Sequence, residues 1–242
     1  MRPLLLAALL ALTTSCVPTA VVPDGERART HGALDGQARY LRVTASLHPF
    51  YGDRKKCLLL DAPPAEVDLI RGARDESIAP PPAERLLPPG TPVRIQAVEF
   101  PTDTWAYGWL GDLFDGALIA RRVVMTPRYH PWVLVALAGE ARPCVVVLSQ
   151  TVATAETALA ETSRLLTTDD PTPILAALPR EQKEAVVRQE LVEGMPLQAV
   201  EMAWGVPEHR HIDRPEGTEA WNWPGGKRRA YFRDEKLVRW ER

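Results

Sequence analysis

The sequence predicts an α+β chain in two units: a small antiparallel β-domain, in the manner of a compact SH3-like barrel, then an α-α-β-β-β domain. Three observations lead there. Between residues 38 and 150 the apolar residues alternate or run in short Val-rich stretches, as in half-buried and buried strands. Between residues 180 and 204 they switch to helical spacing, and after Pro207 three short aromatic-bearing strands are separated by turn residues. Prolines 171, 173 and 179 crowd the stretch between the two patterns. A chain of 242 residues with 45% hydrophobic and 25% charged content can bury two cores. Its formal net charge of −2 argues against whole-surface attraction to nucleic acid.

Residues 1–15 have the form of an export signal: Arg2 beside the α-amine, an apolar run from Leu4 to Leu12, then Thr13, Thr14 and Ser15 before Cys16. The run is too short to cross a bilayer as a stable helix. Small residues directly before a cysteine resemble the lipobox of bacterial lipoproteins, with Thr13 standing where Leu is usual. The resemblance implies that Cys16 is diacylated and becomes the mature N-terminus, anchored in the cell envelope. With Val17 following, and not Asp, it implies the periplasmic face of the outer membrane. Residues 16–37, without an aromatic residue or an apolar period, then read as a lipidated tether.

In residues 40–47, Leu41, Val43, Ala45 and Leu47 alternate with Arg42, Thr44 and Ser46 as one half-buried strand. Residues 57–60 are a short apolar run. Val93, Ile95 and Ala97 alternate with Arg94 and Gln96, and the slip at Val98 and Phe100 predicts a bulge. Prolines 80, 81, 82, 88, 89 and 92 make residues 79–92 a stiff surface loop. Residues 132–138 and 144–148 read as a buried hairpin around a Gly/Pro-containing turn. Cys57 and Cys144, left after Cys16, are either bridged or two small buried strand residues. A bridge would close a loop of about 90 residues, worth roughly 4–5 kcal/mol by loop entropy. Residues 155–166 have helical spacing, with Thr154 as N-cap, and complete a domain over residues 38–166. Residues 167–179 read as a linker.

The second domain spans residues 180–242. A helix over 180–192 is stopped by Gly194, and Pro196 suits the first turn of a second helix. Leu197, Val200 and Trp204 share one face of that helix, which Gly205 and Pro207 end. Strands at 219–223, 228–233 and 236–241 follow, joined at Pro224-Gly225-Gly226 and Asp234-Glu235. Alternation puts Trp221 with Trp223 on one face, and Val238 with Trp240 on one face. Gly194-Met195, Gly205-Val206-Pro207, Glu219-Ala220-Trp221-Asn222-Trp223 and the stretch from Tyr231 to Val238 resemble, in this order, the BamE family (SmpA/OmlA). The resemblance implies an α-α-β-β-β fold borne by envelope lipoproteins, with Gly194, Met195, Gly205, Pro207, Trp221 and Trp223 as structural landmarks. The family's namesake is an accessory lipoprotein of the outer-membrane β-barrel assembly machine. It is much shorter than this chain, and Pro196 stands where the family commonly has a Ser or Thr cap.

Catalytic signals are poor. Neither Ser149 nor Ser163 lies in a Gly-x-Ser-x-Gly setting, and no Gly-rich phosphate loop is present. His209-Arg210-His211, an i, i+2 imidazole pair without a third ligand nearby, reads as an exposed loop; no metal, cofactor or small-molecule substrate is expected. Asp103, Asp112 and Asp115 among Trp105, Tyr107, Trp109 and Phe114 read as a saccharide cleft or as a loop folded over the β-domain. Lys227, Arg228, Arg229, Arg233, Lys236 and Arg239 concentrate positive charge at the C-terminus. They suit either an anionic partner (a lipid head group, a lipopolysaccharide phosphate, an acidic protein surface) or a solvated outer sheet face. The expected function is that of a non-enzymatic envelope lipoprotein, a protein-interaction module in outer-membrane assembly or maintenance. A cell-wall or saccharide binder, or an inhibitor-like module, is the alternative.

Overall fold

The structure, a computed structural model, describes residues 20–70, 76–101 and 129–242. It is α+β, with one eight-stranded and one four-stranded sheet. The larger sheet is built from β1 (Ala38–Leu41), β2 (Ala45–Phe50), β3 (Asp53–Leu60), β4 (Arg85–Leu87), β5 (Pro92–Glu99), β6 (Trp132–Leu137), β7 (Cys144–Val147) and β8 (Leu166–Thr167). Their order is β4-β2-β3-β7-β6-β5-β1-β8, and every neighbouring pair is antiparallel except β3 with β7. The apolar runs are explained by burial on both faces. Cys57 and Leu59 face the main core with Ile95, Val133 and Val135, whereas Leu58 and Leu60 face a second cluster with Phe50 and Val145. The β6–β7 hairpin turns at Gly139, whose φ is +77°. Register shifts in β5 between Ile95 and Ala97, where the alternation slips.

Helices α1 (Asp24–Leu34) and α2 (Ala155–Leu165) pack against each other, and α1 against β5. Thr154 caps α2 in a capping box with Thr157. The tether reading of residues 16–37 is corrected where α1 lies. Its buried residues are only Thr30 and Leu34, too few to print an apolar period. Distant polar contacts hold it instead: Glu26 accepts the Ala155 N–H at 2.9 Å, and Asp35 accepts the Val98 N–H at 3.0 Å. The single strand over 40–47 is two. β1 pairs with β5 and β8 while β2 pairs with β3 and β4, so Arg42–Thr44 carry the chain across the sheet. Alternation survives the break because Leu41, Val43 and Ala45 are all fully buried. The loop over 79–92 contains the short edge strand β4.

The smaller sheet has the order β12-β11-β10-β9, from β9 (His209–Asp213), β10 (Thr218–Asn222), β11 (Arg229–Arg233) and β12 (Lys236–Glu241). Helices α3 (Thr172–Ala177), α4 (Arg180–Val187) and α5 (Leu197–Trp204) precede it. One core unites Ala185, Val186, Met195, Val200, Trp204, Trp221, Trp223, Phe232 and Leu237. Four expectations are corrected here. Residues 167–179 contain α3, and Leu175 and Leu178 pack on this core, so the stretch is part of the unit and not a linker. The first helix ends at Val187, because Gln189 takes φ +56°. Gly194, at φ +82°, instead serves a turn that donates its N–H to Leu237 and accepts back at Met195. Pro196 is the N-cap of α5 and not its first helical residue. A fourth strand, β9, occupies the loop read at His209-Arg210-His211. Val238 and Trp240 are both exposed, and Val238 falls outside the ladder where the register shifts opposite Tyr231 and Phe232.

Candidate interaction surface

The tryptophans decide which way the smaller sheet faces. Trp221 on β10 and Trp223 just past its end, one period of two apart, turn under the helices, where Trp204 meets Trp223 edge-on at 5.3 Å. Each indole finds an acceptor: Trp223 donates to the Gly205 carbonyl at 3.0 Å, Trp204 to that of Gln189 at 3.2 Å, and Trp221 to Glu219. Gly205 has two reasons to lack a side chain. Its φ is +85°, and a Cβ would come within 3.3 Å of the Asp61 main-chain oxygen. Met195 belongs to the same core, and Pro207 is buried.

The intervening residues form the opposite face. Across the four strands run His209, Asn222, Arg229 and Glu241; then His211, Ala220, Tyr231 and Arg239; then Asp213, Thr218, Arg233 and Lys236. Arg239 lies over the Tyr231 ring at 4.2 Å and pairs with Glu241 at 3.2 Å. Arg229, Arg233 and Lys236 are exposed, and among the described residues no carboxylate pairs with them. Lys227, exposed in the turn that leads into β11, extends the same charge. The structure thus brings five of the six predicted cations to the surface.

Arg228 is the exception, and its assignment to that surface is corrected. Alternation sends Arg229 out and Arg228 in, where it is 2% exposed. Its guanidinium pairs with Glu66 at 2.7 Å, donates to the Trp204 carbonyl at 2.8 Å and lies 5.5 Å from the ring centroids of Trp204 and Trp223. Burial pulls its pKa below the ordinary arginine value while Glu66 opposes the change; the group stays cationic.

Cys57 and Cys144, in register on the parallel pair β3 and β7, are joined by a disulfide with Cα atoms 4.4 Å apart. Beside it Arg142 pairs with Glu84 at 2.6 Å and with Glu140 at 2.9 Å. Hydrogen bonding from Arg142 is the main cause that holds the Glu140 carboxyl down at about 2. Sequence reasoning missed His130. It is buried, with Nδ1 on the Leu148 carbonyl at 2.7 Å and Nε2 taking the Gln150 amide at 3.0 Å. Burial lowers its pKa and keeps it neutral, a role that fits support and not acid–base work. Nothing around His130 in the sequence signals this, because both partners lie some 20 residues away. His209 and His211 are exposed on β9, and no group of three metal-ligating side chains occurs among the described residues. Cys16 and the aromatic and acidic stretch 103–115 lie outside the described residues. A groove of about 360 Å³ beside β8 is lined by Arg39, Arg42, Ser163 and Thr167 among others, without a nucleophile–base pair. Set against family models, curated proteins and solved structures, the chain has no match.

Proposed function

We propose that this chain is a non-enzymatic lipoprotein of the bacterial cell envelope, anchored through Cys16 at the periplasmic face of the outer membrane. Its C-terminal unit, BamE-like in the order of its landmarks, acts as a protein-interaction module in outer-membrane assembly or maintenance. The N-terminal unit, in this reading an SH3-like barrel in kind, is its support. The observation that carries the proposal is the outer face of the smaller sheet, where Arg229, Arg233 and Lys236 stand exposed without carboxylate partners among the described residues. Cations that outnumber the carboxylates Asp213 and Glu241 on a rigid sheet face steer and select an oppositely charged protein surface.

Photo-crosslinking from position 233 in intact cells tests this. The expected product is a crosslink to an acidic envelope protein, lost when Arg229 and Lys236 are both changed to Glu. Capture of peptidoglycan alone, or a crosslink indifferent to those charges, overturns the reading. The intact mass of the mature chain tests the anchor: acylated Cys16 at the N-terminus is expected, and an unmodified thiol there removes it.

A further inference from the structure

The folded body begins closer to Cys16 than a solvated tether would place it. The Ala20 N–H donates to the Gln150 carbonyl at 2.9 Å, just past β7. Val22 is 3% exposed, and its carbonyl accepts the Arg27 Nε–H at 2.8 Å. The chain is therefore fixed to the larger unit from Ala20 onward. Only four peptide links join Ala20 to Cys16, a reach of about 14 Å when fully extended. A flexible coil of about 20 residues would instead span roughly 25 Å and let the body turn freely.

The same hydrogen bonds say which end of the larger unit lies next to Cys16. Ala155, the first residue of α2, donates its N–H to Glu26 in the first turn of α1 at 2.9 Å, so both helices start at this end. The 11 residues of α2 then run about 16 Å away from it. At the far end Leu165 accepts the Arg42 N–H at 2.8 Å, and Arg164 reaches the Val206 carbonyl of the smaller unit at 2.7 Å. Helices α4 and α5 lie between the larger unit and the smaller sheet. Thr44 bonds to Val186 and Met202 on them, and Trp221 and Phe232 pack in the core they share with the sheet. The outer sheet face with Arg229 and Arg233 is thus turned from the larger unit. At the end next to Cys16, Val21 is 64% exposed and Thr151, beside Gln150, is exposed too. Asp24, Glu26 and Glu156 are nearly balanced there by Arg27 and Arg29, so charge alone draws no lipid of one sign.

We infer that this end of the larger unit, marked by Ala20, Val21 and Thr151, rests on the phospholipid head groups of the leaflet that holds the Cys16 acyl chains. The basic face of the smaller sheet is then turned away from that leaflet. The head-group layer is itself several ångströms deep, so a reach of about 14 Å leaves the body little room to stand off or turn over. So short a link keeps this end concentrated at the leaflet without any lipid affinity of its own. The inference rests on the acylation of Cys16 and adds an orientation. The partner of the basic face meets it on the periplasmic side, not at the lipid surface.

The test places the full mature chain, isolated from membranes, in vesicles of phosphatidylethanolamine and phosphatidylglycerol. A diazirine amino acid stands at position 151 or, in a second preparation, at position 233, and phospholipid adducts are read by mass after illumination. Position 151 should take lipid and position 233 should not. Inserting about 20 Gly and Ser residues directly before Ala20 lengthens the link about sixfold, so adducts at 151 should fall about tenfold by the −3/2 power of length. Equal labelling at the two positions, or no lipid at 151, overturns the orientation. Labelling at 151 that survives the insertion undiminished reveals a face that binds lipid by itself, and overturns the short-link argument. Intact mass separates these failures from failure of the anchor. A bare Cys16 thiol removes anchor and orientation together, whereas an acylated chain without lipid at 151 loses only the orientation.

Discussion

Arg228 and Glu66 form the most consequential pair in the molecule, because both side chains are withdrawn from water, at 3% and 8% exposure. Two buried charges need each other more than the fold needs both. Glu66→Ala leaves a buried guanidinium facing Trp204 and Trp223 without its counter-charge, and should cost about 3–5 kcal/mol in urea unfolding. Arg229→Ala, one residue along but outside, should change stability by less than about 0.5 kcal/mol. Trp221→Ala, at 1% exposure in the same core, should cost roughly 3–5 kcal/mol through the cavity it leaves. Glu140 makes a pH-dependent contribution whose sign follows from its depressed pKa. The folded state holds its carboxyl at about 2, below the ordinary value of 4.5, so the ion pair with Arg142 stabilises fully above 4.5. That contribution fades as pH falls from 4.5 toward 2. Glu140→Gln should lower stability at neutral pH by about 1–2 kcal/mol, discounted for the surrounding solvent, and flatten the acid limb of the profile.

Elements whose stabilising partners are close in sequence were readable; those held from afar were not. The β6–β7 hairpin, the slip in β5 and the Thr154 cap of α2 each depend on residues within one turn or one register, and all three are present. Thr154→Ala should therefore cost about 1 kcal/mol, measurable as a shift in the urea midpoint. α1 and β9 left no readable period. α1 is secured through Glu26 and Asp35 to residues far along the chain, and β9 is a polar edge whose order comes from pairing with β10. Arg228 shows the same limit at a site: a run of cations does not say which of its members alternation turns inward. The disulfide lies between these cases. The sequence leaves Cys57 and Cys144 either bridged or merely buried, and only the parallel contact of β3 with β7 brings their Cα atoms to 4.4 Å. Replacing both with Ala should lower stability by about 2–5 kcal/mol, with the larger loss expected from a closed loop of this length.

Across the whole molecule, the two sheets share a polar seam that a two-domain reading with a linker does not anticipate. Glu201 on α5 receives Arg42 at 2.5 Å from one unit and Arg210 at 2.6 Å from the other. Thr44, fully buried in the crossing between β1 and β2, donates its hydroxyl to Val186 at 2.8 Å and its N–H to Met202 at 2.7 Å, and accepts from Gln189 at 2.9 Å. Arg164 reaches the Val206 carbonyl at 2.7 Å, and the Arg228–Glu66 pair spans the same boundary. In the sequence these residues look like the polar half of a strand or the wet side of a helix, since none has a local partner. A seam of this kind couples the units, because opening it strands several buried polar groups at about 1–3 kcal/mol each. Calorimetry on the intact chain should accordingly show one transition, with calorimetric and van't Hoff enthalpies in agreement. Thr44→Val keeps the volume but removes the hydroxyl bond to the Val186 carbonyl across the seam, and Glu201→Ala releases both arginines. Together the two changes should split the single transition into two, the smaller sheet's unit melting apart from the disulfide-closed one. Two transitions already present in the unaltered chain would mean that the seam docks the units without making them cooperative.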